Sequence, residues 1–252
     1  MRITVLGSGS AYSDPSRFNS CYLVEAKENY FIIDCGSDAL RAFQKYKVDM
    51  FRIQKIILTH MHADHSAGIP AVLTAMHVTG RSQPLQIFVP KSQLGFVSSW
   101  LSNMYIFPQR MGFEIDLYPI VKFGSCIVGG VNINFIPSNH LIKYSEYARH
   151  LNLGMESFSI LLKENDHTFY YTGDIDSFSE IKDFLEQDLV FVDSTHLSLD
   201  DISRLAGADK RNVAFTHIPQ ELEEDGVWRK DLQTRFGVKH LNLVHDGQTF
   251  EL

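Results

Sequence analysis

Lys55-Ile-Ile-Leu-Thr-His-Met-His-Ala-Asp-His65 is the stretch from which this chain is read. Its first half, 55–58, is short, apolar and β-branched, and reads as a buried strand. Directly after it, three imidazoles and a carboxylate fall within six residues, a density that ordinary surfaces and cores do not need. In a strand-then-loop setting, His60 and His62 converge on one metal ion while Asp64 and His65 turn toward a second. The spacing His-x-His-x-Asp-His fixes ligand type and ligand order at four positions, so the signal is specific.

Outward from this motif, the same device recurs. Apolar, β-rich runs at 2–6, 21–25, 30–33, 85–89, 131–136, 157–162, 168–171, 189–192, 213–215 and 240–244 read as further strands. Helical patterns fall between them at 38–47, 69–77, 92–105, 178–186, 200–205 and 230–236, with Ser177 and Glu180 at capping-box spacing before the fourth. Five strands deliver His or Asp just past the carboxyl end: His60, His140, Asp174, Asp193 with His196, and His217. Open α/β sheets place their sites there. Strands clustered in both halves, with helices interspersed, predict two packed sheets with helices outside.

Composition bounds what such a site serves. The 252 residues are 44% hydrophobic and 21% charged, which predicts a soluble globular domain spanning 1–252. No apolar run reaches the ~18–20 residues of a membrane span. The opening Met-Arg-Ile-Thr-Val-Leu-Gly reads as a strand rather than a signal peptide, so the cytoplasm is expected. Cys21, Cys35 and Cys126 lack Cys-x-x-Cys spacing and predict reduced thiols. The net charge of −7, with no basic cluster, favours small anionic substrates held by metals over long nucleic acids. Imidazole and carboxylate donors without thiolates suit zinc, with manganese or iron also within their chemistry. Two ions ~3.5–4 Å apart would acidify a bridging water and clamp an in-line displacement at phosphorus.

The pattern resembles the metallo-β-lactamase-fold hydrolases, and within them the branch containing ribonuclease Z, the tRNA 3′-end endonuclease. The resemblance rests on Leu6-Gly-Ser-Gly-Ser-Ala11, Asp34-Cys-Gly36, the 60–65 motif, Tyr171-Thr-Gly-Asp174, Thr216-His217 and Val244-His-Asp-Gly247. It implies a four-layer αβ/βα sandwich and two Zn²⁺ per subunit, with Mn²⁺ as the substitute. By the same resemblance His60, His62 and His140 hold one ion, Asp64, His65 and His217 the other, and Asp174 bridges. Asp64 also counts among the catalytic groups. In the tRNA enzymes a strand resembling Asp188-Leu-Val-Phe-Val-Asp-Ser-Thr-His196 ends in His-Glu-Ala-Thr, with a separate His-Ser-Thr later; here the two look fused. Asp193 would orient His196 as the proton donor to the leaving group.

The long Gly/Pro-rich arm that grips tRNA has no counterpart in this sequence. The reading is therefore a phosphodiesterase that uses a metal-bridging hydroxide on small phosphodiesters, cyclic nucleotides first. Endoribonuclease action on tRNA, or hydrolysis of a non-phosphate ester, is the alternative within enzymes; a non-hydrolytic binder is the alternative outside them. Relatives without the arm imply a homodimer with a loop lidding the site. The segment 141–154 follows ligand His140 and carries Lys143, Tyr144, Tyr147, Arg149 and His150, which are expected to contact substrate. Asp34 is expected to orient a ligand histidine, and Gly7-Ser-Gly-Ser10 to turn tightly beside the site. His77, His167, His240 and His245 are read as structural or exposed.

Overall fold

The computed structural model describes residues 1–151, 153–207 and 212–252. Seven strands form one sheet: β1 (Arg2–Gly7), β2 (Cys21–Ala26), β3 (Asn29–Ile33), β4 (Ile53–Ile57), β5 (Leu85–Pro90), β6 (Ile115–Ile120) and β13 (Thr249–Glu251). Six form the other: β7 (Ser125–Val128), β8 (Val131–Ser138), β9 (Ser157–Glu164), β10 (His167–Tyr171), β11 (Leu189–Asp193) and β12 (Val213–Thr216). The orders are β13-β1-β2-β3-β4-β5-β6 and β12-β11-β10-β9-β8-β7. In the first sheet, β3 to β6 run parallel and the rest pair antiparallel. In the second, β10, β11 and β12 run parallel and β7 to β10 antiparallel.

Side-chain alternation explains the layers, because a strand buried on both faces supplies two cores at once. Phe31 and Ile33 of β3 enter a central core with Phe169 and Tyr171 of β10 and Phe191 of β11. Ile32 on the opposite face of β3 packs against α1 (Ala39–Lys45), with Ile69, Leu73 and Met76 beyond the short α2 (Ala63–Ser66), in α3 (Ile69–Val78), and Val97 in α4 (Leu94–Asn103). Beyond the brief α5 (Ser145–His150), Tyr170, Val190 and Val192 face α6 (Leu199–Gly207) and α7 (Val227–Phe236) through Ile202 and Leu232. The layers run helix, sheet, sheet, helix, the expected sandwich.

Two expectations are corrected, and three strands went unread. The run 240–244 is not a strand: it touches β12 only through a bridge between Phe215 and Leu243. Its bonds there are Phe215 N to Asn242 O and Val244 N to Phe215 O, a single parallel bridge that does not extend into a ladder. The closing strand is instead β13, three residues paired with β1, too short and polar to signal itself. The edge strands β6 and β7 also escaped the pattern; Pro119 in β6 is tolerated because an edge can spare a donor. Over 178–186 there are two 3₁₀ turns, Phe178–Glu180 and Lys182–Phe184, in place of an α-helix. The Ser177–Glu180 capping box forms, but the Glu180 carboxylate also accepts from Asn139 N and Asp176 N, tying this loop to β8 instead of starting a long helix.

Candidate metal centre

Both sheets end at one rim, and the rim is sewn together by Phe158 N donating to Thr59 O at 3.1 Å. There β4 gives way to Thr59 and buried His60. The four-residue α2, started by His62, then rotates Asp64 and His65 inward. It lies close because Gly36 has no side chain: a Cβ there would stand 2.4 Å from Asp64 O. From the second sheet, β8 leads to His140, β10 to Asp174, β11 to Asp193 and His196, and β12 to His217. Between β10 and Asp174 the chain turns at Gly173 with φ +55°, where a Cβ would press Phe158 O at 2.8 Å. Asp34 and His217 themselves carry φ of 56° and 51°, unusual backbone of the kind that concentrates at functional sites.

The donor atoms form two groups. In the first, His140 Nε2 lies 3.2 Å from His62 Nδ1, and Asp174 Oδ2 lies 3.4 Å from His140 Nε2 and 3.6 Å from His60 Nε2. In the second, His217 Nε2 is 3.1 Å from Asp64 Oδ2 and 3.4 Å from His65 Nε2. Asp174 Oδ1 stands 3.1 Å from His65 Nε2, so the two oxygens of one carboxylate divide between the groups. Ligands about 2.0–2.1 Å from a tetrahedral zinc lie about 3.3 Å from each other, which is the spacing seen here. His60 Nε2 is buried with no hydrogen-bond partner. An orphaned nitrogen inside a cage of donors at that spacing fits a bound cation. His60, His62, His140 and Asp174 could hold one ion, and Asp64, His65 and His217, sharing Asp174, a second.

The remaining ring nitrogens decide which nitrogen faces inward. His65 Nδ1–H donates to Asp34 Oδ2 at 2.8 Å, and His217 Nδ1–H to Asp193 Oδ1 at 3.2 Å, leaving each Nε2 for the centre. Asp34 also accepts from Thr59 N, Thr59 Oγ1 and the Tyr171 hydroxyl, which gives it the outer, orienting place expected of it. Asp193 Oδ2 accepts from His196 Nδ1 at 2.8 Å, so one buried carboxylate orients two imidazoles. A further set of donors, Asp174, Asp193, His196 and His217, also falls together. In that set the Nδ1 atoms of His196 and His217 are both turned to Asp193, an orienting contact rather than a ligating one.

Charge adds a second argument. Asp34, Asp64, Asp174 and Asp193 are buried together, and their ion-pair partners among the described residues are all imidazoles. Burial pulls His60 well below its ordinary range and lowers His140 to about 4, so both stay neutral with lone pairs free. Burial also opposes charge on His65 and His217, but Asp174 and its neighbours prevail, and His217 is pushed up to about 10. Burial works against the Asp193 carboxylate, yet bonds from His196 and His217 bring it down to about 2. Buried anions are demanding positive charge, which protons supply on two imidazoles and divalent cations would supply better.

A cavity of about 400 Å³ opens over the centre, lined by His62, Asp64, Asp174, His196 and His217. Ser10 and Ala11 border it, as expected of the turn at 7–10. Of the five expected substrate contacts only Tyr144 lines it, its ring 5.7 Å from that of His62; Lys143 Nζ lies 5.4 Å from the Tyr144 ring. Tyr147, Arg149 and His150 point to solvent on α5, away from that lining. Asn152 of the same segment lies outside the described residues. Tyr12, Thr195, Glu221 and Trp228 line the cavity without having been singled out, since nothing in their local spacing separates them from loop or core residues. His77 Nδ1–H donates to Met111 O and is structural, and His245 lies in a different cavity with Arg17 and Arg229.

A family model described as Anti-Pycsar protein Apyc1 matches residues 1–241. A ribonuclease Z of Porphyromonas gingivalis is 25% identical over 184 residues, 66% of this chain and 60% of that protein. The chain thus spans about 60% of the length of this curated relative. Human tRNase Z, short form, superposes with a TM-score of 0.74 at 18% identity, covering 100% of this chain and 99% of that one. The metallo-β-lactamase fold protein YhfI of Bacillus subtilis gives 0.73 at 19%, covering 99% and 98%. The four-layer sandwich described above is the metallo-β-lactamase fold.

Proposed function

We propose that this chain, which belongs to the Anti-Pycsar protein Apyc1 family, is a metal-dependent phosphodiesterase of small phosphodiesters, cyclic nucleotides first. The observation that carries the reading is Asp174, whose two carboxylate oxygens serve two separate histidine groups. His60, His62 and His140 would hold one ion and Asp64, His65 and His217 the other. Zinc suits the donors best, with manganese as the substitute. Bound there, two divalent cations supply Lewis-acid charge to the phosphoryl oxygens and acidify water for in-line attack.

The chain's own residues supply the rest. His196 borders the cavity with Nδ1 held by Asp193, which fixes the ring and turns Nε2 away from that carboxylate. Its Nε2 then gives a proton to the leaving alkoxide, and Asp193 keeps the ring aimed throughout. Tyr144, which lines the cavity, meets the body of the substrate. Exposed Ile142, Tyr147, Leu151 and Leu153 support a homodimer in which 141–154 lids the site. The protein is read as a single domain working in the cytoplasm.

The likeness to ribonuclease Z favours a second reading, 3′-end cleavage of tRNA. Zinc- and manganese-loaded protein, given cyclic mononucleotides, cyclic dinucleotides, bis-nitrophenyl phosphate and a precursor tRNA, separates the two. Cyclic-nucleotide turnover with intact tRNA supports the first reading. Clean tRNA cleavage replaces it with the second. No turnover of any of the four, with two ions bound, overturns both.

A further inference from the structure

Much of the cavity wall away from the metal donors is aromatic. Tyr12, Tyr144 and Trp228 contribute to it, and Glu221 is, among the described residues, its one charged side chain outside the Asp and His groups already described. Among the described residues, no Lys or Arg lines it. Trp228 is the second residue of α7 and is half-buried, packed against the core formed by β10, β11 and α6. Its indole is therefore supported on one side and open to the cavity on the other. A supported indole is a platform for a flat ring: stacking of a base on an aromatic side chain is worth about 1–3 kcal/mol and tolerates any base, because every base has a π-face. The lone carboxylate and the missing cations disfavour a second phosphate beside the first.

We infer that Trp228 is the base-stacking residue of the substrate site, holding the nucleobase on the indole while the phosphodiester lies at the metal donors. This rests on the phosphodiesterase reading above and adds to it the residue that receives the base. Trp228 is a specificity residue; it has no part in proton transfer.

Two measurements test it separately from that reading. The chain has two tryptophans, and Trp100 lies in α4, in the helical layer on the opposite side of the two sheets. Metal-loaded Trp100→Phe protein, with Trp228 as sole tryptophan and excited selectively over tyrosine, is titrated with guanosine and adenosine 5′-monophosphates and with ribose 5-phosphate. Quenching by both nucleotides, and none by the base-free sugar phosphate, is expected. Equal response to all three, or to none, overturns the assignment whatever the enzyme turns over.

The second measurement is the ratio of kcat/KM for a cyclic mononucleotide to that for glycerol 1,2-cyclic phosphate. Trp228→Ala should lower that ratio about tenfold, mainly through KM, and Trp228→Phe should restore most of it. An unchanged ratio removes the stacking role while leaving phosphodiesterase activity intact. A correctly behaving fluorophore in a protein inert toward every phosphodiester would instead preserve the base site and remove the reaction.

Discussion

Asp193 accepts from His196 Nδ1, His217 Nδ1, Thr195 N and Ile175 N, so every direction in which its carboxylate can accept a bond is occupied. One of its imidazoles, His217, is among the candidate metal donors, and the other, His196, stands at the cavity, 23% exposed. The division predicts a split phenotype. His196→Ala should keep both ions, measured by elemental analysis, and slow a substrate with a poor leaving group about 10²–10⁴-fold, the usual worth of a positioned acid. An activated nitrophenyl ester, which needs no proton, should lose far less. Equal loss on both would end the proton-donor role. Residues of this kind were legible because ligand chemistry confines them to His and Asp at strand ends. Trp228 was not, since a tryptophan near a helix start looks the same whether it fills a core or faces a cavity. Tyr147, Arg149 and His150 are exposed outside the cavity lining, and sequence, which places them near the site, does not say which way a helix turns them.

At the scale of elements, the parallel strands carry the structure, and their two-faced burial was what made them readable. Phe191 on β11 is fully buried between the sheets, its ring 4.9 Å from that of Phe169, 5.1 Å from Phe250 and 5.8 Å from Tyr22. Phe191→Ala should cost about 3–5 kcal/mol through lost burial and the cavity left behind. Ile127→Ala on edge strand β7, 71% exposed, should stay within about 0.5 kcal/mol. Urea denaturation of the two variants measures the difference; similar small losses would mean that the central core can collapse around the void. The same logic explains the misses. β6, β7 and β13 are edge strands with exposed faces, so neither continuous apolarity nor clean alternation marks them. The run 240–244 has the composition of a strand, but it meets β12 at a single point, and pairing is a tertiary fact that composition does not carry.

Over the whole molecule, the centre is a joint. His60, His62, Asp64 and His65 come from the half of the chain that builds most of the first sheet; His140, Asp174 and His217 come from the half that builds the second. Two cations held across that rim would cross-link the sheets where the backbone already ties them through Phe158 N and Thr59 O. They would also neutralise carboxylates that otherwise depend on protonated imidazoles. Ions that bind only the folded chain stabilise it by about 2.7 kcal/mol each when present at a hundredfold their dissociation constant. For a chain of this size each kcal/mol moves Tm by about 2–4 °C. Stripping both ions should therefore lower Tm by about 10–20 °C, and adding back one and then two equivalents of zinc should restore it in steps. Calorimetry on chelator-treated protein, with metal content measured alongside, reads this directly. A stripped protein melting within about 2 °C of the loaded one would show that the paired sheets hold the rim closed unaided. The ions would then serve chemistry alone.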